Sequence, residues 1–219
     1  MKIIAINGSP RKEWNTGTLL KKVLEGAASQ NAETELINLY DLRYRGCTSC
    51  FSCKKKDGVR TCAMKDDLTP LLEKLRTADC IALGSPIYFM NITAGMAAFL
   101  ERFLYPYSIY SMETPSVFPR KIPSGFLYTM NMKKDQVEFM ELLKASLKPF
   151  ELFTEIVLGI KPEILYSYDT YQYSDYNKYE HSMFSEPEKA RQKKEQFPID
   201  CEQAFQMGVR LANKATEAL

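Results

Sequence analysis

The sequence predicts a doubly wound α/β domain: a five-stranded parallel sheet of order 2-1-3-4-5, helices on both faces, and an insertion before the last helix. Three observations lead there. Short apolar runs with no polar alternation recur along the chain, as strands buried on both faces require. Stretches with apolar residues at helical spacing alternate with them. Directly after the first run, residues 8–18 form a polar loop with hydroxyls and glycines that opens into a helix, a layout suited to binding phosphate.

The elements follow in order. Ile3-Ile4-Ala5-Ile6 is the first strand, and Leu19, Leu20, Val23, Leu24, Ala27 and Ala28 mark the first helix face. Thr34 to Leu39 is the second strand. Residues 41–65 make a loop too long for mere connection. Asp66 or Asp67 caps a helix through Leu68, Leu71, Leu72 and Leu75. Cys80 to Gly84 is the third strand, followed by Ser85 to Asn91 and a helix through Met96, Phe99, Leu100, Phe103 and Leu104. Gly125 to Met130 is the fourth strand, and Val137 to Leu147 a helix that Pro149 stops. Leu152 to Leu158 is read as the fifth strand. A tyrosine-rich excursion over residues 161–197, with six tyrosines between Tyr166 and Tyr179, precedes the last helix near Pro198.

The 219 residues, 45% hydrophobic, suit one domain spanning residues 1–219. The 29 basic and 27 acidic residues leave a net charge of +2, which argues against nucleic acid or a membrane surface as a main partner. The opening apolar run is too short for a signal peptide, no segment is apolar enough to span a bilayer, and a cytoplasmic protein is expected. In a reducing compartment, six cysteines point to metal, redox chemistry or core thiols rather than a disulfide framework.

Residues 8–18 carry neither the triphosphate loop G-x-x-x-x-G-K-[ST] nor the dinucleotide fingerprint G-x-G-x-x-G. Loop amides, the positive helix end, the hydroxyls of Ser9, Thr16 and Thr18, and the cation of Arg11 are suited to one phosphate; the alternative is an ordinary connection with Asn15 or Thr16 as N-cap. What stands here, G-S-P-R-K-x-x-N-T-x-x-L from Gly8 to Leu19, resembles the opening of the flavodoxin-like NAD(P)H-dependent FMN reductases. So does Gly84-Ser85-Pro86-Ile87-Tyr88, with Leu100-Glu101-Arg102 beyond it. The resemblance covers roughly residues 1–150. It implies a flavodoxin-like fold, FMN as cofactor and NAD(P)H as electron donor. Ser9, Arg11, Asn15, Thr16, Gly17 and Thr18 would then hold the phosphate. Pro86, Ile87, Tyr88 and Phe89, with Asn91, would lie along the ring, their amides near its N5 and O4 edge. The family's Gly-rich turn after the fourth strand is replaced here by Thr129-Met130-Asn131-Met132. Flavin chemistry needs no nucleophile from the protein, so no catalytic side chain is assigned and the lone His181 is read as a surface residue. Trp14 is read as a lid or packing residue.

Cys47, Cys50, Cys53 and Cys62 form C-x2-C-x2-C-x8-C, which also resembles the iron-sulfur flavoprotein branch, where such a run ligates a [4Fe–4S] cluster beside FMN. The insert Lys54-Lys55-Lys56-Asp57 lengthens the last gap. Three readings stay open: a cluster, free or disulfide-capable thiols, and zinc. Cys80 and Cys201 are read as core thiols, and residues 191–194 as a solvated helix face. The function expected is an FMN-dependent oxidoreductase passing electrons from NAD(P)H to a small-molecule acceptor, as a homo-oligomer. The alternative is an FMN electron carrier, with or without iron-sulfur, working with protein partners.

Overall fold

The computed structural model describes residues 1–56, 58 and 60–218, so Asp57 of the insert lies outside the described residues. Five strands form one wholly parallel sheet in the expected order, β2-β1-β3-β4-β5. They are β1 (Lys2–Asn7), β2 (Glu33–Asn38), β3 (Cys80–Pro86), β4 (Ser124–Thr129) and β5 (Glu163–Ser167). The helices are α1 (Asn15–Ala28), α2 (Leu68–Leu75), α3 (Ala94–Leu104), α4 (Val137–Leu158), α5 (Glu186–Glu195) and α6 (Phe197–Glu217).

The uninterrupted apolar strands are explained by two cores, one on each face of the sheet. Ile4, Ile6, Ile81, Leu83, Phe126 and Tyr128 pack with α2, α3 and α4. Their neighbours Ile3, Ala5, Cys80, Ala82 and Leu127 point the other way, against α1 and α6. Because successive side chains alternate between faces, every strand position must be apolar. β1 lies between β2 and β3, so the chain reverses direction of winding there, and the carboxyl ends of β1 and β3 open one crevice.

One element differs from the sequence reading. Residues 152–158 are not a strand; they complete α4, which runs through Pro149, and β5 is Glu163–Ser167. Met140, Leu143, Leu147, Thr154, Val157 and Leu158 are buried at helical spacing, whereas Leu152 and Phe153 are exposed. An internal proline costs a helix roughly 3 kcal/mol. Each fully buried aliphatic side chain contributes about 1.5–3 kcal/mol, so burial on both sides of Pro149 outweighs it. The helix ends at Gly159, whose φ of 76° is left-handed and whose amide bonds the Glu155 carbonyl at 2.8 Å.

The stretch 161–197 thus contains β5 and α5, and Tyr166 is a strand residue. Beyond β5, Tyr171, Tyr173, Tyr176 and Tyr179 pack ring on ring, with centroids 4.5–5.1 Å apart. Tyr176 is buried at the centre. Among the described residues, no helix is long and apolar enough to cross a membrane.

Candidate functional site

The loop after β1 folds on itself before α1 begins. The Ser9 amide bonds Asn7 Oδ1 at 3.0 Å, and the Ser9 hydroxyl accepts from the Arg11 amide and donates to the Arg11 carbonyl. Trp14, not Asn15 or Thr16, is the N-cap residue, and no side chain caps the helix. The helical ladder starts with the Thr18 amide on the Trp14 carbonyl at 2.8 Å. The amides of Asn15, Thr16 and Gly17 therefore point out of the helix end with no acceptor among the described residues. A Cβ on Gly17 would sit 1.8 Å from the Lys12 carbonyl oxygen, so only glycine lets the loop close over this turn. The Thr18 side chain is half-buried and makes no hydrogen bond among the described residues.

The other side chains assigned to the phosphate are turned elsewhere. Thr16 Oγ1 is buried and hydrogen-bonded to Thr129 Oγ1 at 2.7 Å, joining α1 to the end of β4. Asn15 Nδ2 and Trp14 Nε1 both donate to the Tyr171 carbonyl at 3.0 Å. Arg11 donates to the Gln172 carbonyl at 2.6 Å and stacks on Trp14 at 4.8 Å. Arg11, Trp14 and Asn15 thus tie the tyrosine-rich segment to the outer side of the loop.

On the β3 side, Tyr88 and Asn91 exchange both backbone hydrogen bonds, 2.8 and 2.9 Å long, across a two-residue turn. The turn residues Phe89 and Met90 have φ of 49° and 60°, the pattern of a type I′ turn, which glycine or asparagine usually fills. Each such residue costs about 1–3 kcal/mol of strain. The Ile87 amide bonds the Thr129 carbonyl at 2.9 Å, so Ile87 and Tyr88 amides are spent inside the protein. The amides left open at this turn are those of Phe89 and Met90, which the sequence reading did not separate from their neighbours. Phe89 is fully exposed, Tyr88 partly so, and Pro86 ends β3 beneath them.

Buried hydroxyls staple the two loops together. Thr93 caps α3 and donates its hydroxyl to the Gly8 carbonyl at 2.8 Å; its amide bonds Ser85 Oγ at 3.0 Å. The Gly8 amide bonds the Gly84 carbonyl at 2.8 Å. Sequence reasoning missed Thr93 and named Thr129 only as the start of the turn that replaces the family's glycines; the signal for both was a small hydroxyl residue at a strand or helix end facing the crevice. His181 lies away from here, its ring against Tyr176.

The four cysteines of the long loop line one small cavity together with Glu101, Arg102 and Tyr105 of α3 and its end. Cys47 and Cys50 are exposed, Cys62 is half-buried and Cys53 is buried. Ser49 and Phe51 are left-handed, with φ of 53° and 55°, and curl the C-x2-C-x2-C run so that amides turn toward sulfur. The Ser49 amide lies 3.4 Å from Cys47 Sγ, and Arg102 Nε lies 3.3 Å from Cys62 Sγ. Hydrogen bonding from Ser52 holds the Cys50 thiol below its ordinary pKa, while burial pushes Cys53 up. Lys54, itself pushed down by burial, donates to the Tyr105 and Ser108 carbonyls past the end of α3. Among the described residues, no three His, Cys, Asp or Glu side chains close on one point as a single ion requires. A cubane cluster instead takes thiolates at separate corners of a larger core. Cys80 is fully buried in β3, where burial pushes its thiol up, and Cys201 lies half-buried on α6.

A sheet of this order with a phosphate-suited loop at its switch point defines a flavodoxin-like α/β protein. The family model for NADPH-dependent FMN reductase matches residues 1–118, and the chain belongs to that family. An iron-sulfur flavoprotein of Methanocaldococcus jannaschii is 39% identical over 102 residues, 47% of this chain and 51% of its own length. One from Archaeoglobus fulgidus is 40% identical over 102 residues, 47% and 48% of the respective chains. The chain spans about half the length of these relatives. In structure it is similar to an NAD(P)H:quinone oxidoreductase from Methanothermobacter marburgensis, with TM-score 0.69, 14% identity, and 96% and 98% of the two chains covered. An azoreductase from Bacillus anthracis gives TM-score 0.67 at 15% identity, over 96% and 99%. These structural likenesses show the fold.

Proposed function

We propose that the chain is an FMN-dependent oxidoreductase that takes hydride from NADH or NADPH and passes electrons to a small-molecule acceptor. The observation that carries this is the stapled pair of loops: open first-turn amides of α1 on one side, open turn amides of Phe89 and Met90 on the other. The amides of Asn15, Thr16 and Gly17 and the Thr18 hydroxyl would hold the FMN phosphate at the positive helix end. Pro86, Ile87, Tyr88 and Phe89 would hold the ring, Asn91 keeps the turn closed, and the open Phe89 and Met90 amides would be donors to it. Bound FMN supplies acceptance and release of hydride, so no protein nucleophile is needed. The exposure of Tyr88 and Phe89 would leave the ring's face open to a nicotinamide.

Cys47, Cys50, Cys53 and Cys62 are the ligands we assign to a [4Fe–4S] cluster, which would supply one-electron steps. The shared cavity, the curled backbone and the N–H donors to sulfur support it over zinc, and the names of the relatives favour the same reading. α3 links the two sites: Thr93 touches the phosphate loop and Glu101 the cysteine loop, eight residues on, or about 12 Å at 1.5 Å rise per residue. A second reading, electron exchange with a protein partner, is favoured by the exposure of Cys47, Cys50 and the neighbouring Phe51. A homo-oligomer accords with exposed Phe139, Leu142 and Phe153 along α4, and a reducing cytoplasm with six free thiols.

Anaerobic mixing with NADH or NADPH should bleach the flavin within one turnover. Reduction by neither, with ready reduction by a partner flavoprotein, would move the assignment to the second reading. Iron and acid-labile sulfide on protein made without oxygen test the cluster; full flavin with no iron would leave a flavin-only enzyme.

A further inference from the structure

We propose that Arg102 is the positioning residue of the cysteine site and sets its reduction potential; the proposal rests on the assignment of the four cysteines as cluster ligands. The Arg102 side chain is 0% exposed, and its partner Asp66 19%. All five guanidinium N–H groups are used. Nε donates to Cys62 Sγ at 3.3 Å, one terminal nitrogen to the Arg45 carbonyl at 3.2 Å and Asp66 Oδ2 at 2.5 Å, and the other to the Met64 carbonyl at 3.4 Å and Asp66 Oδ1 at 3.0 Å.

Arg45 stands two residues before Cys47 and Met64 two residues after Cys62, so one side chain ties together both ends of the cysteine-bearing loop. Glu101 adds a second tie, accepting from the Cys47 amide at 2.9 Å. A Cβ on Gly46 would lie 2.7 Å from Glu101 Oε2, so the loop passes this carboxylate at glycine distance. Lysine could not replace Arg102 here, because an ammonium has no planar fork and only three donors.

The same geometry acts on electrons. Reducing a cluster by one electron adds negative charge to a centre already holding four thiolates. A hydrogen bond to sulfur and a buried cation favour that reduced state and raise the potential, while Asp66 and Glu101 oppose it. Changing the cation and changing its counter-charges must therefore move the potential in opposite directions. A purely structural brace gives no such pattern of signs.

The test is potentiometric titration of anaerobically prepared holoprotein, followed by the cluster's electron paramagnetic resonance signal, with iron and sulfide counted on each sample. Wild type is read first: no iron and sulfide there overturns the cluster assignment and this proposal with it. With cluster present, Arg102→Lys should favour the oxidised state at least tenfold, a downward shift of about 59 mV for a one-electron couple. Asp66→Asn and Glu101→Gln should shift upward, Asp66→Asn further, because the guanidinium it releases stands against Cys62. Unchanged potentials, or shifts of one sign throughout, would overturn the proposal. Should Arg102→Lys load no cluster, the order of the other two decides: equal upward shifts contradict the role given to Arg102.

Discussion

The phosphate loop and the cysteine loop meet α3 at its N-terminal end and in its last turn, and are built by opposite means. The phosphate loop presents backbone: its amides are open, its glycine permits closure, and its polar side chains face outward or inward to hold neighbouring segments. The cysteine loop presents side chains, and one buried arginine fixes where they stand. A site made of backbone should resist side-chain replacement except where the chain path itself changes. A site hung on one side chain should fail when that side chain is removed.

The largest expected effect follows from that contrast. Arg102→Ala leaves Asp66 without its partner and frees both ends of the loop, and breaking a buried ion pair costs about 3–5 kcal/mol. Chemical denaturation should record a loss of that order, with little of it seen in Arg11→Ala. Next comes Gly17→Ala, whose Cβ cannot share space with the Lys12 carbonyl. Opening the loop would forfeit charge-assisted bonds to phosphate, about 3 kcal/mol and roughly a hundredfold in FMN Kd. Fluorescence titration of the apoprotein measures it; affinity within a few-fold of wild type would break the backbone account.

Thr16→Val comes third. It leaves Thr129 Oγ1 buried without its partner, about 1–3 kcal/mol of stability, with FMN affinity changed less. Arg11→Ala should change FMN affinity by no more than about threefold, since its guanidinium serves Gln172. A tenfold loss would return Arg11 to the phosphate. The smallest effect concerns Glu151, whose carboxyl burial pushes up, outweighing the nearby cations of Lys148 and Lys161. An acid with a raised folded pKa contributes stability that is full below its unfolded value and lost as pH rises through the folded one. Glu151→Gln should flatten that part of the stability-pH curve, just above the normal carboxylate range.

How much of this was legible in the sequence also follows the contrast. Sheet order, both crevice loops and the cysteine run could be read because strand, loop and helix follow one another with glycines, prolines and cysteines at fixed spacing. Residues 152–158 were misread because a short apolar run after a proline satisfies strand and helix templates alike; only the tertiary burial of Thr154, Val157 and Leu158 decides it. The roles of Arg11 and Asn15 depend on Tyr171 and Gln172, more than 150 residues away, which no local pattern carries. Arg102 left two local traces, its place in Leu100-Glu101-Arg102 and a charge set between Phe99 and Phe103 on an apolar helix, but its partners come from the far ends of another loop.

The most direct measurement compares FMN with riboflavin, which lacks only the phosphate. Titrated into apoprotein, with quenching of Trp14, the sole tryptophan, as the signal, FMN should bind at least about a hundredfold more tightly, or ~2.7 kcal/mol. The Gly17→Ala variant should lose most of that preference. Equal affinity of the wild-type protein for both flavins would contradict the claim that the first turn of α1 holds the phosphate.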